Sequence, residues 1–122
     1  MRRRPIFTRG KSRNLVANQG TMDLLSRIRQ MLDGAFGPRL RGVVLFGSEA
    51  RGEATPDSDI DLLVLLDGPI RLWEDSGRAI DAVYALILEL ERPIHPIPVD
   101  VRDYEAQEFP LYRNAKREGI AA

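Results

Sequence analysis

Between residues 59 and 66 the chain opens with alternating acids and then runs apolar on both sides of an extended segment. Ile60, Leu62, Val64 and Leu66 share one side, while Asp59, Asp61, Leu63 and Leu65 share the other. This predicts a strand over Ile60–Leu66, closed by Gly68 and Pro69. An apolar run at Val43–Phe46 predicts a strand before it, and Ile97–Val101 a third, placed at a sheet edge because Pro98 lacks an N–H. Helical periodicity appears elsewhere. Leu25, Ile28, Leu32 and Ala35 fall on one face of a helix that Thr21 can cap, with Asp23 in its first turn. Gly34, Gly37 and Pro38 end it by about Phe36. A longer helix runs from about Leu72 to Glu91, with Ile80, Val83, Tyr84, Ile87 and Leu88 as its expected buried stripe and Trp73 as a packing residue. A last helix covers about Phe109–Arg117 and stops at Gly119.

The order is helix, strand, strand, long helix, strand, helix. The short excursion between the first two strands suits antiparallel pairing, and the helical crossover to the third suits parallel pairing. The expected fold class is therefore α/β (α+β): a small mixed sheet of three strands or slightly more, with helices packed on one face and the other left partly free. Residues 21–122 form the single expected domain. No apolar run approaches the ~20 residues of a membrane helix, and a cytoplasmic protein without a membrane partner is the expectation.

Charge alters the picture at one place. The chain holds 18 basic and 18 acidic residues. Residues 1–20 carry Arg2, Arg3, Arg4, Arg9, Lys11 and Arg13 and no acid, and read as a disordered basic tail. The remainder keeps 12 bases against 18 acids, which argues against a nucleic-acid-gripping face. There is no cysteine and one histidine, so thiolate and His-based zinc chemistry have almost nothing to be built from. His95, set between two prolines, reads as a surface-loop residue.

The candidate chemistry lies in "GSEARGEATPDSDIDLLV". Asp59 and Asp61 project the same way from Cα atoms ~6.5 Å apart on a strand. They would repel unless a cation sat between them. Magnesium fits, since it takes a few carboxylate oxygens and keeps its other positions for water and phosphate. Asp100, in "PIPVDV", is the obvious third carboxylate. Just upstream, Gly47 lets the backbone approach a ligand closely, and the Ser48 hydroxyl with nearby N–H groups can cradle phosphate oxygens. Arg51 and Ser58 are further candidates for nucleotide contact. A metal–triphosphate site follows, of the kind that performs phosphoryl chemistry with two metal ions.

This arrangement resembles the signature of the minimal nucleotidyltransferases of the polymerase-beta-like superfamily: a Gly-Ser turn, a Ser-Asp-x-Asp strand and a third acid on a later strand. The resemblance runs from about Met22 to Gly119, including the closing "LYRNAKREG". It implies that Gly47 and Ser48 hold the triphosphate and that Asp59 and Asp61 hold magnesium ions, two of them expected. It further implies that Asp100 completes the triad and helps to activate an acceptor hydroxyl. Glu49 is a departure, because many relatives have a basic residue there. ATP, or another nucleoside triphosphate, would be the donor. A bare core must borrow its acceptor surface from a partner or from a second copy of itself. Members of the family are often paired with a helical HEPN-type protein as a toxin–antitoxin module, which they can adenylylate. A non-catalytic module that only masks such a partner, and a small-molecule transferase of the antibiotic type, are the alternatives.

Overall fold

The computed structural model describes residues 19–122. The basic tail lies outside the described residues apart from Gln19 and Gly20, which are helical. The order is α1 (Gln19–Phe36), a 3-10 turn at Gly37–Arg39, β1 (Leu40–Phe46), α2 (Ser48–Arg51), β2 (Ile60–Leu66) and α3 (Leu72–Leu90). It continues with β3 (Ile94–Asp100), α4 (Val101–Glu105), α5 (Pro110–Glu118) and β4 (Ile120–Ala121). The sheet order is β3-β2-β1-β4. β1 pairs antiparallel with β2 and β4, and β2 pairs parallel with β3. The mixed sheet and the edge position of the proline-containing strand match the sequence expectation. Four short elements, the 3-10 turn, α2, α4 and β4, are added to the expected order.

β2 is buried on both sides. Ile60, Leu62, Val64 and Leu66 join α1 and α3 in the main core, beside Leu25, Ile28, Leu32, Val83 and Leu86. Leu63 and Leu65 join Val44, Val99, Val101, Tyr104 and Ala115 in a second cluster, to which α4 and α5 contribute. Thus the long helices occupy one face and the two short ones cover part of the reverse. Because both sets of side chains are apolar, the register depends on the fit of each set to its cluster and on Asp61, whose carboxylate a slip of one residue would turn toward the main core, where an unpaired charge is costly.

Three local expectations are corrected. Thr21 is a buried residue inside α1, not its cap, since the helix already includes Gln19, whose Nε2 donates to Asp23 Oδ1 at 2.8 Å. β3 begins at Ile94, so His95 is a strand residue, not a loop residue. The buried face of α3 is Asp75, Ala79, Val83 and Leu86. Ile80, Tyr84 and Leu88 are instead 44%, 54% and 60% exposed, and Trp73 is 89% exposed. Small residues let α3 approach the sheet and α1 closely. The arrangement is secured by Asp75, which accepts two hydrogen bonds from Arg39 (2.9 and 3.1 Å) and one from the Arg71 N–H (2.9 Å).

Candidate active site

The antiparallel β1–β2 pairing sets Phe46 opposite Asp61, and the parallel β2–β3 pairing sets Asp61 beside His95. The end of β1 and the starts of β2 and β3 therefore meet at one edge of the sheet. Asp59 and Asp61 stand there, just before and just inside the buried part of β2. Alternation puts Asp61 on the same face as Leu63 and Leu65, beyond the end of the cluster those leucines belong to.

Gly47 joins β1 to α2 with φ 76° and ψ −154°, a backbone region essentially restricted to glycine. A Cβ at this position would lie 3.0 Å from Asp61 Oδ2. The glycine is needed twice, for its own conformation and for the space its neighbour uses. Ser48 follows as the first residue of α2. Gly52, with φ 73°, closes the segment, and its N–H donates to the Glu49 carbonyl. The whole turn is a tight reversal whose backbone lies against a carboxylate.

Glu49 is paired. Its carboxylate forms an ion pair with Arg92, both side chains being largely buried. Arg92 Nε also donates to the Ser58 carbonyl at 2.9 Å, so one guanidinium ties α2 to the loop before β2. The sequence reading missed this residue. A basic side chain following a helix carries no local signal of a partner 43 positions away. Ser58 itself is committed to its loop: Oγ accepts from the Thr55 N–H at 2.8 Å and lies 3.1 Å from Thr55 Oγ1. Arg51 pairs with Glu53 at 2.9 Å and is half-exposed.

Asp100 is not brought to the pair, and its expected place in a carboxylate triad is corrected. In the parallel register it lies beside Leu66, five positions along β2 from Asp61, which is about 16 Å at the rise of a strand. It caps α4, accepting from the Arg102 N–H at 2.9 Å, and pairs with the Arg102 guanidinium at 3.1 Å. These contacts, the side-chain bond first, hold its carboxyl below the usual range. The residue that β3 does place at the site is His95, whose Nε2 is 3.2 Å from Asp59 Oδ2. Among the described residues no three side chains of His, Cys, Asp or Glu converge closely enough to enclose a metal ion. The site is an open one. Two carboxylates on one strand edge, with Gly47 leaving room beside Asp61, fit a hard divalent cation that retains water and phosphate ligands.

The nucleotidyltransferase-domain family profile matches residues 25–121, four-fifths of the chain and all of this site. The protein belongs to the nucleotidyltransferase family. Enzymes of this family generally use a nucleoside triphosphate and a divalent metal. The chain is 35% identical over 82 residues to a Methanocaldococcus jannaschii protein named "putative protein adenylyltransferase". That match covers 66% of this chain and 56% of the relative, so the chain spans little more than half of the relative's length. The nucleotidyltransferase fold is also that of a Sulfolobus solfataricus crystal structure described as a "putative nucleotidyltransferase". The TM-score is 0.55 at 18% identity, over 93% of this chain and 87% of that one. Among the described residues, no helix is long and apolar enough to cross a membrane.

Proposed function

We propose that this nucleotidyltransferase moves AMP from ATP onto a hydroxyl of a helical HEPN-type protein and acts as the antitoxin of that pair. The observation that carries the transfer is the placement of Asp61 against Gly47 at the head of the Gly47–Ser48 turn, with Asp59 two residues before it in the chain. Ser48 and the backbone of that turn bind phosphate oxygens, and Asp59 and Asp61 hold magnesium. The metal, when bound, neutralises charge on the triphosphate and on the leaving pyrophosphate. In the transfer the acceptor hydroxyl gives up its proton to water and its oxygen bonds to the α-phosphorus, while the bond from the α-phosphorus to the bridging oxygen breaks and that oxygen leaves with pyrophosphate. Gly47 keeps the turn close to Asp61, so phosphate and carboxylate stand at one ion. Arg51 is available to the phosphates only by leaving Glu53, and Ser58 acts through the shape of its loop.

Two features support a protein acceptor. The relative from Methanocaldococcus jannaschii is named for protein adenylylation. The exposed seam of α3, with Trp73, Ile80, Tyr84 and Leu88 at helical spacing, offers an apolar surface that a helical partner would cover. Incubation of the two proteins with magnesium and ATP, followed by intact mass spectrometry of the partner, tests the proposal. A gain of one AMP that disappears with Asp61→Asn is the expected result. Binding without a mass change would make the protein a masking module, and neither binding nor transfer would point to a small-molecule acceptor.

A further inference from the structure

The Gly47–Ser48 turn leads into a helix of four residues, far below the length at which a helix is stable alone. Asp59 ends a stretch from residue 53 that is neither helix nor strand. Both segments therefore take their positions from contacts with the rest of the molecule. Ala50 anchors α2 in the main core. Arg92 supplies a contact that joins α2 to the second segment. Its Nη2 pairs with Glu49 on α2, and its Nε donates to the carbonyl of Ser58, the residue before Asp59, at 2.9 Å. The Pro93 carbonyl extends the same seam by accepting from the N–H of Ile60 at 2.9 Å. Glu91, at φ 55°, ends α3 in the left-handed conformation and turns the chain immediately before Arg92. The Arg92 and Glu49 side chains are 15% and 11% exposed, and this shielding from water strengthens both of the guanidinium's bonds.

Building on the metal–triphosphate site proposed above, we infer that Arg92 is a positioning residue for transfer: it holds the phosphate-binding turn and the carboxylates at the separation their joint ligand requires. Each half of the site meets its own ligand without this residue, the turn taking phosphate and the acids taking the ion. The complex of both is what needs a fixed separation, because only then does each ligand favour the binding of the other. Arg92 acts through Glu49 and Ser58 and touches neither ligand. A guanidinium suits this task, since two of its N–H groups, fixed in one plane, reach acceptors on different segments. A lysine ammonium on its flexible stem cannot hold the two acceptors at a set spacing.

The test titrates ATP into the isotope-labelled full chain, once in EDTA and once in excess magnesium, with amide chemical shifts reporting Kd. The ratio of the two Kd values measures the coupling, and Tm is recorded alongside. In wild type, magnesium should tighten ATP binding by about tenfold or more, within the ~5–150-fold span of linked sites. In Arg92→Met that ratio should fall below about threefold, while Kd in EDTA stays within about twofold of wild type. The double variant Glu49→Met, Arg92→Met replaces the ion pair by apolar side chains, an exchange that often leaves stability intact. It should recover the wild-type Tm and keep the low ratio, which separates position from stability. Arg92→Lys should give an intermediate ratio. If Arg92→Met does not fold, the double variant and Arg92→Lys decide. A wild-type ratio in the double variant or in Arg92→Met overturns the inference and leaves the metal–triphosphate site standing. A wild-type protein whose ATP binding magnesium does not tighten overturns that site, and the inference with it.

Discussion

Replacing Gly47 by alanine should damage the fold and the site by separable amounts. At φ 76° and ψ −154° the backbone occupies a region that costs a non-glycine residue about 1–3 kcal/mol. Alanine returns about 0.4–1 kcal/mol by restricting the unfolded chain, so the backbone part is about 1–2 kcal/mol net. For a chain of this size that lowers Tm by roughly 4–8 °C. The second part is steric: the new Cβ would stand 3.0 Å from Asp61 Oδ2, so the carboxylate must give by a few tenths of an ångström. Thermal unfolding in metal-free buffer reads the first part, and calorimetric titration with magnesium and ATP reads both. The same measurements on Asp61→Ala and on the double variant complete a cycle. Its coupling term isolates the contact, because the backbone strain is common to both backgrounds. Unchanged Tm in Gly47→Ala would refute the strain argument. A lowered Tm with undiminished magnesium–ATP binding would show that the approach of Gly47 to Asp61 has no part in nucleotide binding.

Asp61→Asn should abolish transfer in a radiolabelled-ATP assay while leaving apo Tm no lower than wild type, because it relieves repulsion with Asp59 and removes no core contact; retained turnover would end its assignment. Asp100→Ala should do the reverse, with transfer unchanged and stability reduced by about 1 kcal/mol in urea as α4 loses its cap. Trp73→Glu, at a side chain 89% exposed, should keep stability within about 0.5 kcal/mol of wild type and weaken capture of a helical partner in a pull-down. The hydrogen bonds from Arg39 to Asp75, aided by the Arg71 N–H, hold the Asp75 carboxyl below the ordinary carboxylate range. Its stabilising effect is therefore complete above the unfolded value of about 4 and is lost as pH falls through the lower folded value. Urea unfolding between pH 7 and pH 3 should show stability declining below about pH 4, with a shallower decline in Asp75→Asn.

The local chemistry of the site was legible in the chain itself. The acids at its start and Gly68–Pro69 beyond its end bracket β2, Ile60–Leu66. The glycine and serine before the acids announced the tight turn, and the Ser-Asp-x-Asp run placed two carboxylates on one side of a strand. These features depend on neighbours within a few residues, where the period of a strand or the φ of a glycine is decided. What lies between elements depended on the tertiary structure. Either of the two prolines within "IHPIPVD" could mark a strand's limit, and only hydrogen-bonded pairing with β2 showed that the strand begins at Ile94. That pairing carried His95 to the site and Asp100 to the opposite end. α3 likewise offers two apolar stripes, and periodicity cannot choose between them. The expected stripe mixed the two: its Val83 is buried and its Ile87 packs against the core, while its Ile80, Tyr84 and Leu88 face outward. The smaller set, Ala79, Val83 and Leu86, is the one buried, because it lets the helix come close to the sheet and to α1 while Arg39 anchors Asp75 at its start. Hydrophobicity favours burying a surface; which surface is buried was decided by shape and by an ion pair between residues 36 positions apart.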